Sequence, residues 1–298
     1  MRIKSKIGSL FLLGALCTSG ALGAGSHRGS HAPKADLAVP LKKIPIRVYQ
    51  GYLIVMEGQF GDASGPQNLI LDTGTSPSIV NAHIVERLGL RTSSGALLAV
   101  GKTVPTQYAI LPEVEIGPLK AGPIPVAVAD LSQVEHELGI PIGGIIGMDV
   151  LSNVNFLVDY EKKTLQFGDA TDNGIPVQVD AHSWVATVEM RIDNTRVRML
   201  VDTGSAAVVL LGGNFPGPQP FDLHATARKG GGLAADKATI QMFLPADIVL
   251  GGQHFEQKKA YFVPGRVDLH FDGLLGVRAL GFRAISYNRE RMTLYLVR

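Results

Sequence analysis

The sequence predicts an all-β protein that is built from two similar halves. The chain has 35 glycines and 17 prolines in 298 residues, a composition that favours tight turns between short strands. Runs rich in valine, isoleucine and leucine alternate with turn-forming residues along most of the chain. The tripeptide Asp-Thr-Gly occurs at 72–74 and again at 202–204, each time after an apolar run and before a hydroxyl residue.

The two halves repeat one internal plan, which is the mark of a duplicated fold. Two strand-like runs precede each Asp-Thr-Gly, and a Gly-aliphatic-aliphatic-Gly segment follows it, as GIIG at 144–147 and as GLLG at 273–276. Gly147 lies 75 positions after the first aspartate, and Gly276 lies 74 positions after the second. We therefore expect two similar β-barrel-like lobes related by a pseudo-twofold axis, with short helices only at 76–90 and 131–140.

The N-terminal residues have the pattern of a secretory signal peptide. A basic head precedes an apolar stretch from about Ile7 to Leu22, and small residues follow. The alternative is an uncleaved membrane anchor, for which the stretch is short and is broken by glycine and serine. The expected segments are a signal peptide at 1–24, a flexible leader at 25–45, an N-terminal lobe at 46–170 and a C-terminal lobe at 171–298.

Composition and charge limit the possible classes of function. The formal net charge is +2 and no basic run occurs beyond the N-terminus, so nucleic-acid binding has no support. Cys17, the single cysteine, lies in the signal segment, which excludes a thiol nucleophile in the mature chain. The eight histidines form no zinc-binding pattern, and we expect no metal and no cofactor. We expect an exported protein, periplasmic or extracellular, without stable membrane association after signal removal.

The repeated Asp-Thr-Gly places a carboxylate where an apolar strand ends in a tight turn. Glycine permits the unusual backbone geometry of such a turn, and the threonine hydroxyl can bond neighbouring backbone or its counterpart. One copy could be an aspartate that caps its own loop. Two copies with matched flanking residues indicate a shared role instead.

On these residues, LDTGTS with GIIG and VDTGSA with GLLG, the chain resembles aspartic proteases of the pepsin and retropepsin type. The resemblance runs from about residue 46 to the end, and it is nearest to short bacterial retropepsin-like enzymes. It implies an acid-protease fold in which each lobe contributes one catalytic aspartate, Asp72 and Asp202. It also implies that the ψ-loop glycines, Gly147 and Gly276, pass behind the catalytic loops.

The resemblance further implies how the pair would hydrolyse a peptide bond. Two carboxyl groups a few Å apart hold one proton between them, so one acts as base on a water and the other polarises the scissile carbonyl. Which aspartate starts ionised stays open at this point. The supporting residues that the resemblance assigns are Thr73, Gly74, Thr75, Thr203, Gly204 and Ser205.

We expect the hydroxyls of Thr75 and Ser205 to bond the carboxylates and lower their pKa values, which favours an acidic working range. We expect Thr73 and Thr203 to link the two loops, with stabilisation of their own turns as the alternative.

Two segments occupy the places where the family has a covering hairpin, or flap. They are 93–108 and 227–241, and their glycine-containing centres make Gly101 and Gly231 the candidate flap tips. Tyr108 lies too far along the chain to take the role of the pepsin-type flap tyrosine.

We therefore expect a monomeric, cofactor-free aspartic endopeptidase that cleaves peptides or proteins at acidic pH. Two alternatives stay open. One is a non-catalytic peptide-binding protein that retains the acid-protease fold, and the other is a protease that assembles with a partner or a second copy.

Overall fold

The computed structural model describes residues 42–61, 65–99, 102–168, 170–212, 228–229, 239–264 and 269–298. Strands account for 53% of the structure and helices for 8%, which confirms the expected all-β class. Within the described residues, no helix is long and apolar enough to cross a membrane. The signal segment and most of the leader lie outside these residues.

Thirteen strands in the described residues belong to the N-terminal half: β1 (Lys43–Pro45), β2 (Arg47–Tyr49), β3 (Leu53–Gly58), β4 (Gln67–Leu71), β5 (Ile79–Asn81), β6 (Thr92–Ala99), β7 (Lys102–Leu111), β8 (Val114–Ile116), β9 (Leu119–Ala121), β10 (Ile124–Ala129), β11 (Gly144–Ile146), β12 (Phe156–Asp159) and β13 (Thr164–Phe167). The described strands of the C-terminal half are β14 (Ile175–Gln178), β15 (Thr187–Ile192), β16 (Thr195–Asp202), β17 (Val208–Leu211), β18 (Arg228–Lys229), β19 (Thr239–Phe243), β20 (Ile248–Leu250), β21 (Gln253–Phe255), β22 (Ala260–Val263), β23 (Gly273–Gly276), β24 (Ala284–Asn288) and β25 (Thr293–Val297). The helices of the described residues are α1 (Ala82–Arg87), α2 (Ser132–Leu138) and α3 (Met148–Leu151).

The first two helices fall in the two segments where helices were expected. Helix α1 carries its apolar side chains, Ile84 and Val85, on its buried face. Helix α2 is capped at its C-terminal end by Gly139, which adopts the left-handed conformation (φ 69°) that commonly terminates helices. The short helix α3 was not predicted, because a single turn leaves too little periodicity to recognise.

Each half forms one large sheet, and the two sheets repeat the same strand order. The N-terminal sheet has eight strands in the order β2-β3-β4-β11-β5-β10-β7-β6. The C-terminal sheet has nine, in the order β21-β20-β15-β16-β23-β17-β22-β19-β18. In these orders, the seven strands β3-β4-β11-β5-β10-β7-β6 correspond one for one to β15-β16-β23-β17-β22-β19-β18. The parallel pairs also correspond, since β11 pairs with β4 as β23 pairs with β16. This repetition is compatible with the two-lobed arrangement expected.

A six-stranded sheet joins the halves. Its order, β1-β13-β12-β24-β25-β14, is symmetric about the pairing of β12 with β24. In that pairing Phe156 lies opposite Tyr287 and Val158 lies opposite Ile285, and all four are buried. Strand β1 begins at Lys43, three residues before the expected lobe boundary, so the leader assigned to 25–45 ends in a paired strand.

One hydrophobic core extends through both halves. The same cluster of buried side chains contains Leu71, Phe156, Val201 and Phe282. A second cluster lies between α2 and the N-terminal sheet, and it includes Tyr52 and Leu97. The strands that carry the two Asp-Thr-Gly segments therefore end inside a continuous packed interior, which fixes the position of the residues that follow them.

Replacing Ile285 by alanine should lower the free energy of unfolding by about 2–5 kcal/mol, because the side chain is 0% exposed and packs in the sheet that both halves share. Urea denaturation followed by far-UV circular dichroism and by tryptophan fluorescence measures this change. Ile110→Ala is the matched control, since Ile110 is 58% exposed and its loss should cost less than about 0.5 kcal/mol. Equal losses for the two variants would contradict the account of the shared core.

Candidate active site

The two Asp-Thr-Gly segments occupy equivalent places at the ends of equivalent strands. Asp72 directly follows β4, and Asp202 is the last residue of β16. Strand β11 runs parallel to β4 and strand β23 runs parallel to β16, so each aspartate lies beside the glycine-containing strand of its own half. Both aspartates are 0% exposed.

The structure brings the two carboxyl groups together. Each carboxyl group shifts the pKa of the other, so the two side chains lie within interaction distance. Each also packs against the glycine of the opposite loop: a Cβ on Gly74 would lie 2.7 Å from Cγ of Asp202, and one on Gly204 would lie 2.6 Å from Oδ2 of Asp72. Only glycine leaves the room that this contact requires.

Four buried hydrogen bonds tie the two loops to each other. The backbone N–H of Thr73 donates to Oγ1 of Thr203 at 3.0 Å, and the N–H of Thr203 donates to Oγ1 of Thr73 at 3.2 Å. The hydroxyl of Thr73 donates to the carbonyl of Val201 at 3.0 Å, and that of Thr203 donates to the carbonyl of Leu71 at 3.0 Å. The link expected between the loops is present, and all four bonds cross from one half to the other.

The hydrogen bonds to the two carboxyl groups differ. Gly74 N–H donates to Oδ1 of Asp72 at 2.8 Å, and Gly204 N–H donates to Oδ1 of Asp202 at 2.7 Å. Asp72 also receives the hydroxyl of Thr75, at Oδ2 and 2.8 Å. In contrast, the Oδ2 atom of Asp202 is buried and accepts no hydrogen bond from the described residues.

The expectation that the Ser205 hydroxyl bonds a carboxylate is wrong. This hydroxyl donates to the carbonyl of Ala207 at 3.2 Å and accepts from the Ala207 N–H at 3.4 Å. Serine commonly bonds backbone two residues ahead, and this local bond competes successfully with the aspartate. Ser205 still favours the ionised form of Asp202, but through its backbone N–H.

The net pKa shift at both aspartates is upward. Burial raises the pKa of Asp72, while hydrogen bonds, among them those from Thr75 and Gly74, oppose the rise. The pKa of Asp202 lies well above its ordinary value, first because of burial and then because of the charge of Asp72. The Thr75 hydroxyl thus lowers the pKa of Asp72 as expected, but burial raises that pKa by more.

Gly147 and Gly276, the expected ψ-loop glycines, approach the two Asp-Thr-Gly loops so closely that no side chain fits. A Cβ on Gly147 would lie 2.2 Å from the carbonyl oxygen of Thr75, and one on Gly276 would lie 2.4 Å from that of Ser205. Met148 N–H donates to that same Thr75 carbonyl at 3.0 Å. This bond fixes the position of Thr75, whose hydroxyl donates to Asp72.

Two residues that sequence reasoning missed, Ser78 and Asp149, strengthen this contact on one side. Ser78 donates to Asp149 from its N–H at 2.9 Å and from its hydroxyl at 2.7 Å, and its Oγ accepts from Gly147 N–H at 2.9 Å. The second half has Val208 and Arg278 at the equivalent positions. Alignment of the two halves could have revealed this difference, since one side has a hydrogen-bonding pair and the other does not.

Tyr52 is a third residue that the sequence did not reveal. Its side chain is 4% exposed, and its hydroxyl has no hydrogen-bond partner among the described residues. Burial raises the pKa of Tyr52, and the negative charges of Asp202, Glu137 and Asp72 raise it further. The hydroxyl therefore lies within the electrostatic reach of both aspartates.

The candidate flap tips, Gly101 and Gly231, lie outside the described residues. The arms of the first hairpin are described: β6 pairs with β7 from Thr92 opposite Ala109 to Ala99 opposite Lys102. Tyr108 stabilises this hairpin, because its ring covers Gly95 and its hydroxyl donates to the carbonyl of Ala96 at 2.8 Å. In the second half, β18 pairs with β19 across the undescribed segment 230–238.

Within the part of the chain that the structure describes, no group of three or more His, Cys, Asp or Glu side chains could hold a metal ion. The polar side chains that meet at the two Asp-Thr-Gly segments carry carboxyl and hydroxyl groups. Two adjacent buried carboxyls with different hydrogen-bond donors can exist with one ionised and the other protonated, which is the requirement for paired acid and base chemistry.

Replacing Thr203 by valine should lower the free energy of unfolding by about 2–4 kcal/mol, since it leaves the Thr73 N–H and the Leu71 carbonyl buried without partners. Chemical denaturation measures the loss. The same change at the exposed Thr103 should have almost no effect. A Thr203→Val variant as stable as Thr103→Val would show that the hydrogen bonds between the two loops do not stabilise the protein.

Replacing Asp202 by asparagine should make stability less sensitive to rising pH. The pKa of Asp202 is higher in the folded than in the unfolded protein, so protonated Asp202 stabilises the fold. This stabilisation is complete below the unfolded-state pKa, about 4, and is lost as pH rises through the folded-state pKa. The stability of the variant relative to wild type should therefore increase between about pH 4 and pH 7. Urea titrations across this range measure it. Asp130→Asn, at an exposed carboxyl whose pKa hydrogen bonds from Ser132 lower, should show no such increase.

One comparison with known proteins matches part of the chain. A sequence model of the aspartyl protease family matches residues 56–150. This segment includes Asp72 and Gly147, whereas the second Asp-Thr-Gly lies beyond it. A search of curated proteins found no match to the chain. The similarity supports an aspartyl protease as the general class of this protein.

Proposed function

We propose that this protein is an aspartic endopeptidase in which Asp72 and Asp202 form the catalytic pair. The observation that carries the proposal is the contact of two fully buried carboxyl groups at the ends of equivalent strands. Burying two ionisable groups in contact is costly, and a structural role would not require it. The match of residues 56–150 to the aspartyl protease family supports the same conclusion.

The unequal hydrogen bonding supports distinct starting roles for the two aspartates. Asp72 is the ionised base, because the Thr75 hydroxyl and the Gly74 N–H both donate to it. Asp202 is the protonated acid, because its Oδ2 accepts nothing from the described residues and its pKa is raised by burial and by the charge of Asp72. A proton on Asp202 also removes the repulsion between two adjacent negative charges.

Hydrolysis then proceeds by general acid and base catalysis. Asp72 accepts a proton from a water molecule, the water oxygen bonds the scissile carbonyl carbon, and Asp202 gives its proton to the carbonyl oxygen. In the second step the C–N bond breaks, Asp72 gives its proton to the leaving nitrogen, and Asp202 recovers a proton from the tetrahedral intermediate. The pair ends with one proton, as it began.

We further propose that the substrate is an extended peptide beneath the hairpin formed by β6 and β7. Strand β6 is the outermost strand of its sheet, so its backbone can pair with such a peptide. The rate should fall at low pH as Asp72 becomes protonated and at higher pH as Asp202 ionises, which gives an acidic optimum. The signal-like N-terminus supports export to the periplasm or the medium, and joining both aspartates in one chain supports a monomer.

Asp72→Asn and Asp202→Asn should each reduce peptide cleavage by about 10²–10⁴-fold, because each removes one partner of the acid–base pair. The assay incubates the purified chain with a mixed peptide library from about pH 3 to pH 7, a range that brackets ordinary and raised carboxyl pKa values. Asp130→Asn is the control and should cleave at the wild-type rate.

A pepstatin-like inhibitor should abolish cleavage by the wild-type chain. Wild-type rates in both active-site variants would overturn the proposal. A folded wild-type chain that binds peptides without cutting them would instead identify the protein as a non-catalytic peptide-binding relative.

A further inference from the structure

A cavity of about 360 Å³ lies at the six-stranded sheet, and neither Asp72 nor Asp202 lines it. Ser152 from the N-terminal half lines it together with Trp184, Tyr287, Arg289 and Met292 from the C-terminal half. A volume of this size is within the range of small-ligand sites in proteins.

Two side chains that line this cavity carry buried hydroxyl groups without a hydrogen-bond partner among the described residues. Tyr287 is 0% exposed and Ser152 is 3% exposed, yet neither hydroxyl forms a hydrogen bond with a described residue. Leaving a buried hydroxyl unpaired is unfavourable, and native proteins rarely do so without a bound molecule nearby. Both hydroxyls can donate a hydrogen bond, so a hydrogen-bond acceptor bound at this cavity would give them a partner.

A positive charge lies beside these hydroxyls. Arg289 lines the same cavity as Tyr287. Burial raises the pKa of Tyr287 to about 12, and the charge of Arg289 opposes this rise. The exposed Arg289 side chain forms no ion pair with a described residue. Its neighbour Arg291 differs, because it pairs with Asp172 at 2.7 Å. Arg289 is thus available to bind an anion.

Trp184 and Met292 supply the apolar part of the wall, beside the polar Asn153 and Glu290, and the Trp184 loop is held in place by local structure. Trp184 is partly buried and has a φ of 58°, a left-handed conformation that bulky residues rarely adopt. Its loop is held by Asp180, whose carboxylate accepts the N–H groups of His182 at 2.9 Å and Ser183 at 2.8 Å. Strain that is maintained in this way is a frequent property of binding sites.

We propose that this cavity binds a ligand that combines an apolar group with a single carboxylate, such as the C-terminal apolar residue of a peptide. Arg289 pairs with the carboxylate, Tyr287 and Ser152 donate hydrogen bonds to it, and Trp184 and Met292 contact the apolar group. Glu290 also lines the cavity and repels negative charge on the ligand, so binding of the carboxylate depends on Arg289. Binding here does not require that the aspartate pair be catalytic.

The chain contains one tryptophan, so its fluorescence reports directly on this cavity. Titration of the full chain with N-acetylleucine should give a saturable change with a Kd on the order of 1 mM, the strength expected of a ligand with so few atoms. N-acetylleucinamide has the same apolar group without the charge, and it should bind at least about tenfold more weakly.

Matched variants assign the contacts. Arg289→Gln should weaken binding of N-acetylleucine by about tenfold or more, whereas Arg291→Gln, at the arginine that already has a partner, should leave it unchanged. Tyr287→Phe keeps the ring and should weaken binding about threefold to tenfold. Asp202→Asn should bind as wild type does, which separates this site from the proposed catalysis.

Three results would overturn the proposal. They are no saturable fluorescence change with N-acetylleucine, equal affinity for the amide, or undiminished affinity in a folded Arg289→Gln variant.

Discussion

The contact between two buried carboxyl groups is the constraint on which the rest of the structure depends. Charged carboxyls lose their hydration when buried and repel each other when adjacent, so the protein must compensate on both counts. Glycines at 74 and 204 allow the approach, four threonine hydrogen bonds hold the loops together, and the raised pKa of Asp202 favours the form with one negative charge. Two halves with the same strand order supply equivalent strand ends for this contact.

The equivalent strand ends do not make the two aspartates chemically equivalent. On the Asp72 side, the Thr75 hydroxyl reaches the carboxylate, and Ser78 with Asp149 ties that loop to the neighbouring strand end. On the Asp202 side, the Ser205 hydroxyl turns to its own backbone. The backbone repeats while its side chains diverge, and this divergence separates the affinities of the two carboxyls for a proton. In the mechanism that we propose, the repeated fold thus supplies both the acid and the base.

The features that could be predicted from the sequence are those that a short run of residues determines. The alternating apolar runs predicted the strands, and the paired Asp-Thr-Gly and Gly-aliphatic-aliphatic-Gly segments predicted which residues meet. Features that depend on distant contacts could not be predicted. The direction of the Ser205 hydroxyl, the Ser78–Asp149 pair, the burial of the Tyr52 hydroxyl and the cavity beside Trp184 each depend on which strands pack together. The pairing of β12 with β24, which joins the halves, carries no local signal either.

The number of protons that the two carboxyl groups share is the most direct test of this account. Carbon-13 NMR of chain labelled at the aspartate carboxyl carbons, titrated in wild type and in Asp72→Asn and Asp202→Asn variants, resolves the two side chains. The account predicts that one carboxyl of the pair stays protonated well above about pH 4, where exposed aspartates ionise, and that Asp202 carries that proton. Two carboxyls that both ionise near pH 4, each unaffected by replacement of the other, would contradict it.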